Sequence, residues 1–326
     1  MFTCTGSEAN DLAIRVARAV TGARGIIVTE NAYHGVTSIL AEISPSLGAD
    51  NPIGPHVRLI PAPDTYRLGV EGAAAAFIES VEIAVKDLQS SGHGVAALIC
   101  DTVFASDGIF VDPPGLLKGA VEVVRAAGGL FIADEVQSGL ARPGAHMWAF
   151  ERHGVLPDLV TLGKPLGAGH PMAAMVARPE HLETFGKATR YFNTFGGNPV
   201  SAAVGLAVLD VIAEEQLMEN ALNVGAVLLE GLRRVGARHA NVGDVRGAGL
   251  YAALDLVADR ETKVPSSDLA SRLVNQLREN GVLVGTCGRA ANCLKIRPPL
   301  CFSAADAARF LEVLDLCLTC LPERVA

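Results

Sequence analysis

The chain has 326 residues, 50% of them hydrophobic, with 27 Lys and Arg against 35 Asp and Glu for a net charge of −8. That composition describes a folded acidic protein and excludes a disordered chain, while its charge leaves no broad basic surface for nucleic acid or an anionic membrane. No apolar run reaches the roughly 18 residues of a spanning helix, no signal peptide is visible, and seven cysteines, an odd number in a chain this large, point to reduced thiols in the cytoplasm.

The first predicted element follows a small-residue turn, Thr5-Gly6-Ser7, which opens a helix over 8–20 with no strand or helix ahead of it. Strand-length apolar runs follow at 25–28, 57–60, 95–100, 129–133, 159–162 and 172–176, with helices at 70–89 and 116–126 between several of them. The alternation predicts an α/β layer architecture on a mainly parallel sheet, and the lack of polar alternation within the strands predicts that both faces are covered. After Pro199 come an Ala/Val/Leu-rich helix at 200–212 and an amphipathic helix at 216–235. Strands at 242–246 and 250–256, a helix at 266–279, short strands near Val282 and at 294–296, and a last helix from Ala304 complete the chain. This reads as a large unit, 1–205, and a smaller α+β unit, 206–326. The CxxC at Cys317 and Cys320 lies in an apolar helical segment and predicts two core positions on one helix face.

Four segments carry candidate chemistry. Gly6 and Ser7 sit where the free N–H groups and positive end of a helix bind phosphate, although a capped helix start alone is common. Asp134 and Glu135 end the run Phe131-Ile132-Ala133, and carboxylates at the carboxyl end of a parallel strand lie where α/β sheets place ligands. Taken alone, the pair fits a metal site or a salt bridge equally well. Lys164 follows another strand and is framed by Gly163, Gly167 and Gly169, an apolar setting in which desolvation would free its amine for an imine. Tyr33-His34-Gly35 follows the strand at 25–29 and puts an aromatic ring at the sheet's edge, and Phe192-Asn193-Thr194-Phe195-Gly196-Gly197-Asn198-Pro199 opens the long helix with a mixture of aromatic, glycine and amide groups. Together, a phosphate cradle, a strand-end Asp, a Gly-framed Lys and an aromatic ring form the set that pyridoxal phosphate requires. No metal site is expected.

The stretches TGSEAN, AYHG, FIADEVQSG, TLGKPLGAGHP, FNTFGGNPVSAAVGLAVLDVI and DVRGAGLY, in this order, resemble the class III aminotransferases of the fold type I pyridoxal-phosphate enzymes. The resemblance covers essentially the whole chain. It implies that Lys164 bonds to the cofactor and shuttles a proton, and that Asp134 holds the pyridine nitrogen protonated. Val136 would pack on one ring face and Tyr33 on the other, with His34 beside it, while Gln137 approaches the ring hydroxyl and Gly6 and Ser7 bind the phosphate. Thr194 would reach the phosphate of a neighbouring subunit, which implies a homodimer.

The sequence also departs from the family. A long segment usually precedes the TGSEAN turn, and without it folding, dimer packing and activity are expected to suffer. Asp101-Thr102 replaces a frequent Glu-Pro pair. Lys295, with Arg297 two residues on, stands where many members bind the substrate carboxylate through an Arg. A lysine is a point charge without the bidentate fork, and relatives that eliminate phosphate from amino-alcohol phosphates show a similar Lys. Transamination between an amine or amino acid and a 2-oxo acid is the leading expectation. A phospho-lyase or decarboxylase using the same cofactor, and a non-catalytic fragment, are its rivals. An oxidoreductase has little support, since Thr5-Gly6-Ser7 is no GxGxxG turn.

Overall fold

In a computed structural model, which describes residues 1–321, the apolar runs of the first half assemble into one sheet. Positions 322–326, the end of the expected smaller unit, lie outside the described residues. The larger sheet contains β1 (Phe2–Thr3), β2 (Gly25–Thr29), β3 (Val57–Ile60), β4 (Val95–Cys100), β5 (Leu130–Asp134), β6 (Leu159–Leu162) and β7 (Ala173–Ala177). Their order is β1-β7-β6-β5-β4-β2-β3, with β2 to β6 mutually parallel and β7 antiparallel to β6.

The helices of this part are α1 (Gly6–Thr21), the short α2 (Ser38–Ala41) and α3 (Thr65–Leu68), α4 (Val70–Ser90), α5 (Lys118–Ala126) and α6 (Pro179–Ala188). Successive strand residues point to opposite faces. Ile26, Val28, Ile99 and Ile132 therefore pack with Leu12, Val16 and Phe185 from α1 and α6. Ile27, Leu98 and Phe131 pack with Phe77, Leu88 and Val124 from α4 and α5. Full burial of β2, β4 and β5 follows from this double cover.

Beyond lie α7 (Pro199–Glu214), α8 (Leu217–Arg238), β8 (Val242–Ala248), β9 (Tyr251–Asp259), β10 (Val264–Pro265), α9 (Ser267–Glu279), β11 (Gly285–Cys287), β12 (Cys293–Ile296) and α10 (Ala304–Cys320). The strands form a wholly antiparallel sheet, β10-β9-β12-β11 with β8 on β9. One of its faces is covered by α8, α9 and α10 through Leu228, Leu254, Leu273 and Leu314. The expected boundary at 206 falls inside α7. Of the sixteen residues of this apolar helix, Ser201, Gly205 and Ile212 are the buried ones, and Leu206 is 63% exposed. Among the described residues no helix is long and apolar enough to cross a membrane.

Arg246 joins the two sheets. Its guanidinium donates to the carbonyls of Gly108 and Ile109, to Asp244 and Asp255, and to Cys293 Sγ, and it lies 4.5 Å from the Phe110 ring centroid. The loop 101–111 is thereby fastened to the antiparallel sheet.

Four local expectations differ from the structure. A short strand, β1, does precede the Thr5-Gly6-Ser7 turn, pairing with β7. Val176, expected in a buried strand, faces solvent near the sheet edge. The strand expected near Val282 begins at Gly285, because the Val282 N–H closes the end of α9 on the Leu277 carbonyl at 2.9 Å. Cys317 is buried but Cys320 is exposed, since a three-residue step turns the last helical position past the core-facing side.

Candidate active site

The carboxyl ends of the parallel strands and the N-terminus of α1 converge on one cleft. Gly6, Ser7, Tyr33, His34, Val136, Gln137 and Lys164 line it, together with Asp134. Thr194, Lys295 and Arg297 do not. Thr194 is exposed on the segment between α6 and α7, whereas Lys295 and Arg297 line a separate depression beside α10.

Asp134 ends β5 and is buried at the base of the cleft. Its Oδ2 accepts from Asn10 Nδ2 at 2.8 Å and meets His34 Nδ1 at 2.7 Å, and its Oδ1 accepts from the Val136 N–H at 3.1 Å. Thr161 donates to Asn10 Oδ1 at 2.6 Å, and Asn10 also donates to the His34 carbonyl at 2.8 Å. The carboxylate is thus caged from α1, β6 and the loop after β2. A buried charge held by so many donors stays in place.

This cage gives His34 a further contact and adds two residues. His34 lines the cleft with Tyr33 and also meets Asp134, with its Nε2 buried and without a partner among the described residues. Asn10 and Thr161 were not anticipated. Asn10 sits on the same face of α1 as the buried Ala13, Ile14 and Ala17, and a polar residue on an apolar face was the signal available.

The adjacent acid faces the other way. Glu135 accepts from the Ala149 and Phe150 N–H groups, each at 2.9 Å, and from Thr102 Oγ1 at 2.6 Å. Burial pushes its carboxyl up to about 7. Asp107 is likewise pushed up to about 7 by burial, and burial followed by the charge of Asp134 raises Asp101. Of these acids, Asp101 lines the cleft together with Asp134.

The other walls depend on close approach. A Cβ on Gly6 would lie 2.7 Å from Val136 Cγ1, and one on Gly163 would lie 3.0 Å from the same atom. Thr5 and Glu8 form a capping box at the start of α1 that uses the N–H groups of Glu8 and Thr5, leaving those of Gly6 and Ser7 outside it. Lys164 follows Gly163 at a φ of 21°, a conformation unusual for a non-glycine residue. Its side chain is exposed, so this chain alone does not supply the desolvation expected of it.

Lys295 lies 6.0 Å from the Tyr251 ring centroid. Burial lowers its ammonium, opposed chiefly by the charge of Asp101.

The sequence profile described as aminotransferase class-III matches residues 1–318. The chain belongs to this family. It is 42% identical to the Arabidopsis thaliana protein "Alanine--glyoxylate aminotransferase 2 homolog 2, mitochondrial", over 96% of this chain and 65% of the relative. It is 37% identical to the Caenorhabditis elegans "Ethanolamine-phosphate phospho-lyase homolog 1", over 98% of this chain and 72% of the relative. Among solved structures, a phospholyase from Arthrobacter in complex with phosphoethanolamine superposes with a TM-score of 0.94 at 42% identity, covering 99% of this chain and 77% of that one. The chain spans about two thirds of the length of the first curated relatives it matches.

Class III aminotransferases depend on pyridoxal phosphate, and the cleft fits that group by its donors. A caged carboxylate suits a protonated ring nitrogen, an exposed amine suits an aldehyde, and a glycine-lined helix start suits a phosphate. The fold is that of the fold type I enzymes, a mainly parallel larger sheet followed by a smaller antiparallel one.

Proposed function

We propose that this class III chain moves an amino group from an amine or amino acid to a 2-oxo acid, with alanine and glyoxylate, named for its relatives, as the first pair to try. The caged Asp134 across the cleft from Lys164 carries this reading. Bound pyridoxal phosphate supplies an electron sink for the substrate carbon. Asp134 holds the proton on the ring nitrogen, and the Asn10–His34–Thr161 cage keeps its carboxylate aimed there. Lys164 carries the cofactor and moves the proton to and from the substrate carbon. Val136 and Tyr33 would hold the ring, Gln137 would bind its hydroxyl, and the N–H groups of Gly6 and Ser7 would receive the phosphate. Lys295 and Arg297 receive the acid group of the substrate.

The 1–205 part holds the cofactor and the 206–326 part orients the substrate. A homodimer completes the site in this reading. Thr194 is exposed and does not line its own cleft, and Phe192 and Phe195 beside it in sequence and Leu206 in α7 are exposed apolar groups that a second copy would cover. The seven unpaired cysteines favour a reducing compartment, the cytoplasm in our reading, although the Arabidopsis relative is named as mitochondrial.

Lys295 favours a second reading. A compact ammonium beside Arg297 suits a phosphate as well as a carboxylate, and phosphoethanolamine is the ligand of the Arthrobacter phospholyase. One assay separates the two. Purified protein with pyridoxal phosphate is given alanine and glyoxylate, or phosphoethanolamine, and glycine and inorganic phosphate are measured. Glycine without phosphate release supports transamination. Phosphate without glycine supports elimination. Neither product from a cofactor-loaded protein over a panel of amines and oxo acids overturns both.

A further inference from the structure

Gln137, at the turn after β5, offers one acceptor and two donor hydrogens. Its Oε1 accepts a hydrogen bond from Tyr251 Oη, which leaves its NH2 to face the cleft that Gln137 lines. Tyr251 belongs to the other sheet. It is the first residue of β9, and its ring is 1% exposed, so the hydroxyl depends on protein partners.

Several contacts fix this tyrosine. The β8–β9 hairpin turns at Gly249 and Leu250 with Ala248 paired to Tyr251. Gly249 has a φ of +56°, and a Cβ there would lie 2.4 Å from the Arg142 carbonyl oxygen, so the hairpin tip presses on the loop of the larger sheet as only glycine allows. The Leu250 N–H donates to that carbonyl at 3.1 Å, and Arg142 Nη1 donates back to the Leu250 carbonyl at 3.1 Å. The Arg142 guanidinium and the Lys295 ammonium lie 5.9 and 6.0 Å from the Tyr251 ring centroid.

We propose that Tyr251 is a positioning residue which, by holding Gln137 Oε1, turns the amide NH2 toward the cofactor ring oxygen, so that the antiparallel sheet sets the charge state of that oxygen. The proposal rests on the reading of the cleft as a pyridoxal-phosphate site. A hydrogen bond donated to the oxygen spreads its negative charge and weakens its hold on the proton it shares with the Lys164 nitrogen. Without the tyrosine hydroxyl, the amide is free to present its own oxygen, which strengthens that hold.

The test is a pH titration of the absorbance of the Lys164-bound cofactor, made on the holoprotein without substrate. Tyr251→Phe keeps the ring and its packing, and its midpoint is expected to rise by about one pH unit. Gln137→Leu is expected to move it the same way, and the double variant no further than the larger single shift, because the two residues act through one contact. If Tyr251→Phe does not fold, Tyr251→Leu removes the same hydroxyl and carries the same expectation. A hydroxyl-free variant with the wild-type midpoint overturns the proposal, as does full additivity with Gln137→Leu. A wild-type protein that shows no lysine-bound cofactor band, and no borohydride-fixed label on Lys164, overturns the reading of the cleft and the proposal with it.

Discussion

The Asp134 cage and the α7 surface are built on opposite terms. The cage draws donors from α1, β6 and the loop after β2, all within one chain and all buried. The segment leading into α7 leaves Phe192 84% and Phe195 69% exposed, and α7 itself exposes Leu206. One region is finished by its own fold, and the other presents apolar groups to whatever lies next to it. On the reading proposed above, the chemistry of the ring nitrogen would belong to the single chain and the closure of the phosphate end to a dimer.

The largest effect that tests this contrast falls on the closed side. Asp134→Ala is expected to leave Lys164 open to borohydride labelling with pyridoxal phosphate while lowering turnover by about 10²–10³. Turnover near that of the unaltered protein would show that the caged carboxylate has no part in the reaction.

Asn10→Leu removes a donor to Asp134 and strands the Thr161 hydroxyl and the His34 carbonyl. Leaving such buried groups unpaired costs about 1–3 kcal/mol, read from the denaturant midpoint. An unchanged midpoint would mean that the cage does not support the fold.

The acids beside the cage make stability depend on pH. Asp107 rises from 3.8 unfolded to about 7 folded, so between these values the native state binds more protons than the unfolded one. Its contribution is complete below pH 3.8 and is lost as pH rises through about 7, at no more than about 1.4 kcal/mol per pH unit. Asp107→Asn is expected to flatten that part of the stability–pH curve. Parallel curves for the two proteins would place the proton elsewhere.

On the open side the effect on the single chain is smallest. Leu206→Glu is expected to change the stability of the monomer by less than about 0.5 kcal/mol. In sedimentation it is expected to shift dimer to monomer and, through Thr194, to weaken cofactor binding. A dimer that persists would move the interface off α7.

Much of the fold was legible because β2, β4 and β5 are covered on both faces, which leaves long apolar runs bounded by turns. Asp134 and Lys164 stood out because a charge at the end of such a run has no reason to be there for packing. Asn10 was harder to see, since a first-turn Asn reads equally well as a capping residue, and its partner Asp134 lies 124 positions away. The place of His34 against Asp134 depends on the path of the loop after β2, which short-range pattern does not encode. The same holds for the contact between Tyr251 and Gln137, whose residues come from different sheets. Val282 was misplaced because an apolar residue that closes a helix end looks, in sequence, like the first residue of a strand.

Arg246 has a mechanical consequence. Asp101 and Ser106, which form part of the cleft wall, lie on the loop that its guanidinium fastens to the antiparallel sheet. That wall is therefore held from both sheets, since Asn31 Nδ2 donates to the Ser106 carbonyl and Thr29 Oγ1 to Asp107 on the side of the larger sheet. Two ties thus reach the cleft from the smaller sheet, Arg246 through the 101–111 loop and Tyr251 through Gln137.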